Sequence, residues 1–348
     1  MSTANLDSAK LKAASGGGLI REDVMNKIWD ISKIPLPFTD LVGSTTAKQE
    51  FIEWTQDSLQ KPNIANAVID GSDATGNDTV VGVRVGNHHQ ISSKVVRVSY
   101  RAEASDVIGQ QNPLGYQLIR RQQELRRDVE AMALNNQASQ ADNGNDKPGI
   151  AGGLPSWLAT SHFGGTGSAA GGFDPATRLT KARKVATAGR ALSETDIRNA
   201  IQSVYEQGGD PSVMMAVPGV IAKFSQFMIQ SGGATAPITS WIDKGDSKSP
   251  ATALGAVNVF VTDFGTIRAV PNRLQPSYKI GNADCSDVFI LDPQYTQLCY
   301  MKGYQTQELA TTGLADNRQI SVDWSLIVNT EKAHAIVGDI DPSKDMVK

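Results

Sequence analysis

The stretch Asn112–Asn136, NPLGYQLIRRQQELRRDVEAMALNN, limits the fold more than any other part of the sequence. Asn112 can cap a helix, and Pro113 suits a first helical position that needs no amide donor. Leu114, Leu118, Leu125, Val129 and Met132 recur at steps of three, four and seven, so they share one face. Around that stripe stand Arg120, Arg121, Glu124, Arg126, Arg127, Asp128 and Glu130. Arg120–Glu124 and Arg126–Glu130 have the four-residue spacing of helix ion pairs. At about 1.5 Å per residue the helix is a rod of roughly 35 Å. Its single narrow apolar stripe serves one domain and leaves much surface for another contact.

The remaining composition is that of a globular chain. It has 348 residues, 40% of them hydrophobic and 20% charged, with net charge −3, enough for about two domains. No apolar run approaches the roughly 18 residues that span a bilayer. The opening MSTANLDSAKLKAASGGG lacks the hydrophobic stretch of a secretory signal and reads as a flexible arm. The near-neutral balance argues against a strong nucleic-acid binder. Cys285 and Cys299, far apart in sequence, suggest packed thiols rather than a zinc or disulfide framework.

Along the chain, Val24, Ile28, Ile31 and Ile34 fit a short helix that Pro35 and Pro37 stop. Residues 50–101 read as a long hairpin. Its first arm runs to about Val68 and Ile69, the turn-rich tip covers residues 70–79, and the return ends in alternating Val96, Val98 and Tyr100. Such an arm is marginal alone and needs a neighbour. The glycine-rich zone from Gln137 to Ala191 suggests a long loop. Ser193 opens a helix, with Asp196 at its third position in place of the usual glutamate. Ser212–Val217 reads as a buried strand, Gly219–Ser231 as a second helix, and residues 232–255 as a polar excursion. Strands follow on either side of Asp263–Gly265, then at residues 288–292, with Gln297–Met301 continuing that sheet. The last pair has Ile320, Val322, Trp324, Leu326 and Val328 in strict alternation, with Ala333–Ile340 returning beside it.

No pattern here supports catalysis. His88, His89, His162 and His334 lack metal-ligand spacing, and His88-His89 reads as an exposed pair whose rings point to opposite faces. Gly164–Gly172 lacks the GK[ST] ending of a phosphate loop, and no GxSxG elbow surrounds Ser168. The arginines of the rod suit either a solvated face or a subunit contact.

Taken in order, the segments RVGNHHQISSKVVRVSYRAEASDVIG, QLIRRQQELRRDVEAMALNN, KPGIAGGLPSWL, ALSETDIRNAIQSVYEQGGDPSVMMAVPG and VNVFVTDFGTIRAVPNR resemble tailed-phage major capsid proteins of the Hong Kong 97-type fold. VFILDPQYTQLCYMKGYQTQELATTGLADNRQISVDWSLIVNTEKAHAIVG extends the likeness, in an SU-ten-like family, over roughly residues 22–340. The resemblance implies an α+β chain. Residues 1–48 would be an N-terminal arm, 49–104 an extended loop lying over a neighbour, and 105–137 a peripheral domain with its spine helix. Residues 138–290 would be an axial domain, and 291–348 the strands that return to the peripheral domain.

It also implies a structural protein and no enzyme. Many copies would form hexamers and pentamers of an icosahedral head around double-stranded DNA, assembled in the host bacterial cytoplasm without membrane or cofactor. A scaffolding protein separate from the short arm, a portal protein at one vertex and decoration proteins are the implied partners. No lysine–asparagine pair matches the crosslink of one such capsid, and none is expected. Arg120, Arg121, Arg126 and Arg127 on the rod, with Asp70, Asp73 and Asp78 at the hairpin tip, are the candidate subunit contacts. The alternatives are a cellular nanocompartment shell of the same fold, or a serine hydrolase using Ser168 and a histidine.

Overall fold

The protein was analysed as a computed structural model, which describes residues 35–60, 62–71, 73, 81–107, 112–230, 259–311 and 313–347. The expected helix before Pro35, Asp78 with most of the hairpin tip, and the excursion at 232–255 lie outside the described residues.

The rod is helix α2 (Pro113–Ala133), capped by Asn112, whose Oδ1 accepts the Gly115 N–H at 2.8 Å. Leu114, Leu125, Val129 and Ala133 are buried, and Leu118 and Met132 pack at the margin. Before it come strands β1 (Gly43–Thr46), β2 (Phe51–Gln56), β3 (Val83–His88) and β4 (Gln90–Ser99), then the short helix α1 (Tyr100–Ala104). After it come β5 (His162–Phe163), β6 (Gly172–Asp174), β7 (Leu179–Lys181), α3 (Glu194–Glu206), β8 (Val213–Ala216) and α4 (Pro218–Gln230). The chain closes with β9 (Val259–Thr262), β10 (Gly265–Pro271), β11 (Tyr278–Ile280), β12 (Ala283–Leu291), β13 (Thr296–Glu308), β14 (Ala315–Val328) and β15 (Ala335–Ile340).

Two sheets carry the body. One has four strands in the order β1-β13-β14-β4 and is covered by α2. The other has seven, β5-β15-β12-β8-β10-β9 with β11 joined to β12, and α3 and α4 pack on it. The alternation of Ile320, Val322, Trp324, Leu326 and Val328 puts all five side chains in the core. That core is shared. One apolar cluster joins Leu125 and Val129 of α2, Leu298 and Trp324 of the smaller sheet, and Met215, Phe289 and Ile336 of the larger. A second cluster lies between the larger sheet and its helices, around Ile197, Ile201, Phe224 and Ile290.

Long-range pairing differs from the local reading in four places. The hairpin ladder is short, from Phe51↔His88 to Gln56↔Val83, and the described residues of 57–71 form no strand. Residues 90–99 leave the hairpin and pair with β14, because Val96 and Val98 bury against Leu114 and Leu118. Residues 297–301 do not continue the sheet of β12. A 3-10 turn at Pro293–Tyr295, capped by Asp292, redirects the chain into the smaller sheet. The last two strands also part, β14 into the smaller sheet and β15 beside β12 and β5.

Residues 137–191 are not a loose loop. Leu154, Trp157 and Leu158 are buried, and Ser139 and Thr180 exchange hydrogen bonds at 2.7 and 2.8 Å. The glycines there serve close approach. A Cβ on Gly153 would stand 1.9 Å from the Asn135 carbonyl oxygen, and one on Gly171 2.7 Å from that of Pro155.

Candidate assembly surfaces

On α2 the expected Arg126–Glu130 pair does not form, and Glu124 is surrounded by several cations. Arg121 pairs with Glu124, and Arg120 reaches back to the Tyr116 hydroxyl at 3.2 Å. Lys94 of β4 bridges Glu124 at 3.7 Å and Asp128 at 2.7 Å. Partial desolvation pushes the Glu124 carboxyl up, but Arg121, Lys94 and Arg120 outweigh it and hold the group below the usual carboxylate range. Arg126 is exposed over the Tyr304 ring, 5.2 Å from its centre, and Arg127 is half-buried.

Glu130 is the correction that matters most on this helix. It has no exposed surface and does not pair with Arg126. Its Oε1 accepts the Phe38 N–H at 2.7 Å and Asn272 Nδ2 at 2.8 Å, and its Oε2 accepts the Thr39 N–H at 2.7 Å and Thr39 Oγ1 at 2.5 Å. One carboxylate therefore ties the chain before β1 and the segment after β10 to the rod. Buried acids with several donors in fixed places are strong, specific joints.

A second buried joint lies under the larger sheet. Arg183 donates to Asp287 at 2.5 Å and to Asp339 at 3.2 Å and stacks on Tyr278. Desolvation pushes the Asp287 carboxyl up against the pull of Arg183, and pushes the Tyr278 phenol up as well. Asp339 sits at φ +66°, a backbone conformation that few residues other than glycine adopt.

The hairpin has a firm root and an open end. At the root, Asn87 donates to the Leu326 carbonyl at 2.7 Å and accepts the Gly152 N–H at 2.9 Å. Trp54 lies 5.3 Å from Trp157, and Glu53 pairs with both Arg84 and Arg178. Beyond Gln56, Leu59 and Ile64 are fully exposed, and Val68, Ile69 and Val81 are more than four-fifths exposed. Asp70 and Asp73 are exposed among them. The sequence reading named the acids of the tip and placed Val68 and Ile69 on a strand arm, where the structure leaves them exposed outside any strand. The available signal was the irregular spacing of the five apolar residues, which fits neither a helix face nor a strand face.

The histidines are structural in their surroundings. His89 is 4% exposed rather than open, and both its N–H and its Nδ1 meet the Glu50 carbonyl, at 2.9 and 3.1 Å. Burial lowers the pKa of His88 and of His89. His334, with no exposed surface, accepts the Asp292 N–H and meets Thr296 Oγ1 at 2.8 Å, and desolvation brings its pKa down to about 4. Among the described residues no group of three or more His, Cys, Asp or Glu could hold a metal ion. Ser168 Oγ donates to the Gly165 carbonyl at 2.7 Å. Cys285 and Cys299 are buried free thiols.

The family model described as SU10 major capsid protein matches residues 3–341. The chain belongs to this family. A segment of 113 residues is 34% identical to the "Major capsid protein" of Escherichia phage Phieco32, a match that spans 32% of this chain and 32% of that relative. Solved structures with the same fold extend over nearly the whole chain. The capsid of an empty GTA particle has a TM-score of 0.58 at 13% identity, covering 97% of this chain and 100% of the other. The capsid of cyanophage P-SCSP1u has 0.56 at 13%, covering 96% and 98%. The SrpI encapsulin of Synechococcus elongatus PCC 7942 has 0.55 at 14%, covering 99% and 98%. The fold is thus the Hong Kong 97 type shared by phage capsids and encapsulins.

Proposed function

We propose that this chain is a tailed-phage major capsid protein that tiles, as hexamers and pentamers, into an icosahedral head around double-stranded DNA. The observation that carries the reading is the flap. Five large apolar side chains, Leu59, Ile64, Val68, Ile69 and Val81, stand in solvent on a segment rooted firmly in the body. Fully burying such a side chain is worth about 1.5–3 kcal/mol, so a partner that covers several of them gains from doing so. A neighbouring copy that covers the flap while offering its own repeats the contact around a ring, and rings that close by rotation build shells.

In this reading residues 1–48 are the arm and 49–104 the overlapping loop. Residues 105–137 with 291–348 form the peripheral domain, and 138–290 the axial domain that meets its copies at the five-fold and six-fold axes. Arg120, Arg121, Arg126 and Arg127 on the rod and Asp70, Asp73 and Asp78 on the flap contribute charge pairs between copies. A scaffolding protein, a portal, decoration proteins and the packaged DNA complete the head, which assembles in the host cytoplasm. Catalysis is no part of the role. The encapsulin likeness supports a second reading, a nanocompartment shell with protein cargo.

Electron microscopy of the chain expressed with its scaffold tests both. Closed particles are expected, and nuclease-protected DNA in particles from infected cells separates a phage head from a cargo shell. Soluble monomers under every condition overturn the proposal. The Arg120→Glu, Arg121→Glu double variant places like charges beside Glu124 and should cost the monomer about 1 kcal/mol, leaving it folded, and should lower particle yield. Undiminished yield removes these two arginines from the contact.

A further inference from the structure

The smaller sheet has a second face, turned away from α2. β4 points Lys94, Val96 and Val98 toward α2, so Ile91 lies on the other side. There Ile91, Asp323 of β14 and Lys302 of β13 stand opposite one another across three strands. The ladder slips by one residue next to Lys302, and Met301 joins the same surface. The loop 142–149 closes over this row. Gly149 allows it, since a Cβ there would stand 2.7 Å from the His89 carbonyl oxygen. The result is a pocket of about 530 Å³.

Two acceptors of this pocket have no partner. His89 is buried, and its Nδ1 meets the Glu50 carbonyl at 3.1 Å. A carbonyl only accepts, so Nδ1 holds the proton and Nε2 is left as an acceptor. Nε2 and Asp323 Oδ1 are both buried with no hydrogen-bond partner among the described residues. Buried acceptors of this kind call for a donor. Desolvation pushes the Asp323 carboxyl up, against the pull of His89 and Lys302, so the positive charge around it falls short.

The walls and the rim differ from this end. Ile91 is 70% exposed, and Met301 and Pro148 also line the pocket. The exposed carboxylates of Glu50 and Asp142 line it too, and Asp142 accepts the Gly144 N–H at 2.7 Å. Lys302 is the single lysine or arginine of the lining. Lys48, Asp146 and Lys147 flank the rim along the chain and are exposed. With them counted, Glu50, Asp142, Asp146 and Asp323 stand against Lys48, Lys147 and Lys302, so the acids still lead.

We infer that this pocket binds an aliphatic diamine. One ammonium donates to His89 Nε2 and Asp323 Oδ1, the methylene chain lies against Ile91, Met301 and Pro148, and the second ammonium sits at Glu50 and Asp142. A metal ion suits the pocket less, because among the described residues no three such groups close on one ion. One copy of the chain supplies every group, so the inference goes beyond the shell reading and stands apart from it.

Calorimetric titration of the full-length, unassembled chain with diaminobutane, at neutral pH and fixed ionic strength, tests the site. One saturable site per chain is expected. Asp323→Asn keeps the size of the side chain and removes its charge, and should weaken binding about tenfold, the worth of a hydrogen bond to a charged group. Lys302→Met removes the competing cation and should tighten binding, which a merely structural role would not produce. Glu103→Gln, at an exposed acid on α1 outside the pocket, should change nothing. Butylamine carries one charge and should bind more weakly; equal affinity for it overturns the diamine assignment. If circular dichroism shows that Asp323→Asn does not fold, Glu50→Gln at the exposed rim decides, with an expected weakening of about threefold. Absence of saturable binding, unchanged affinity in the deciding variant, or equal displacement by magnesium ion at the same ionic strength overturns the inference.

Discussion

At Glu130 four donors converge on one carboxylate that water does not reach. Along residues 59–81, five large apolar side chains stand open to water with no described residue covering them. Both arrangements look costly in isolation, a buried charge in one place and bare hydrocarbon in the other. The first cost is met inside the chain by fixed donors, and it makes the joint specific. The second is left for another molecule to offset. The two differ in one respect that can be tested: the Glu130 joint is completed within the chain, and the flap's apolar side chains are not covered by any described residue.

The sharpest test of that difference is Glu130→Ala. It strands the Phe38 and Thr39 amides and Asn272 Nδ2, each an orphan worth about 1–3 kcal/mol, so a loss of about 3–5 kcal/mol is expected. Urea unfolding of the unassembled chain reads it, and a loss under about 1 kcal/mol would show that the joint is dispensable. A pH titration comes next. His334 has a folded pKa lowered to about 4, below its unfolded value, so the unfolded chain takes up the proton first as pH falls. Stability is full above about pH 6.5 and declines toward pH 4 by about 3 kcal/mol from this residue, with the other buried histidines acting in the same direction. His334→Gln should flatten that decline; an equally steep profile would assign it to other groups. The smallest expected effect is on the flap. Leu59→Ser with Ile64→Ser should shift monomer stability by less than about 0.5 kcal/mol, while lowering the temperature at which particles fall apart. A monomer loss comparable with that of Glu130→Ala would erase the contrast.

Local signals in the sequence were legible where the physics is local. Asn112, Pro113 and a stripe of leucines define α2 without help from the rest of the chain, and period-two alternation places Trp324 inside. Pairing partners were not legible in the same way. Nothing within Gln90–Ser99 states that its ladder partner is Ala315–Val328, more than two hundred residues away. Glu130 was misplaced because its type argues for solvent, although it sits between Val129 and Ala133 on the buried side. Gly153 and Gly171 were misread because close packing and slack use the same residue. Of the contact candidates, Asp70 and Asp73 stand exposed on the flap and Arg126 on the rod, whereas Arg120, Arg121 and Arg127 are half-buried.

The apolar cluster that runs from Leu125 through Trp324 to Met215 and Phe289 has a further consequence for a curved container. Both main sheets draw on the same packed interior, so bending one against the other would open voids in material as dense as a molecular crystal. Each copy then behaves as a rigid tile. In the proposed head, the change of angle between a flat facet and a sharp vertex then falls to the seams between tiles.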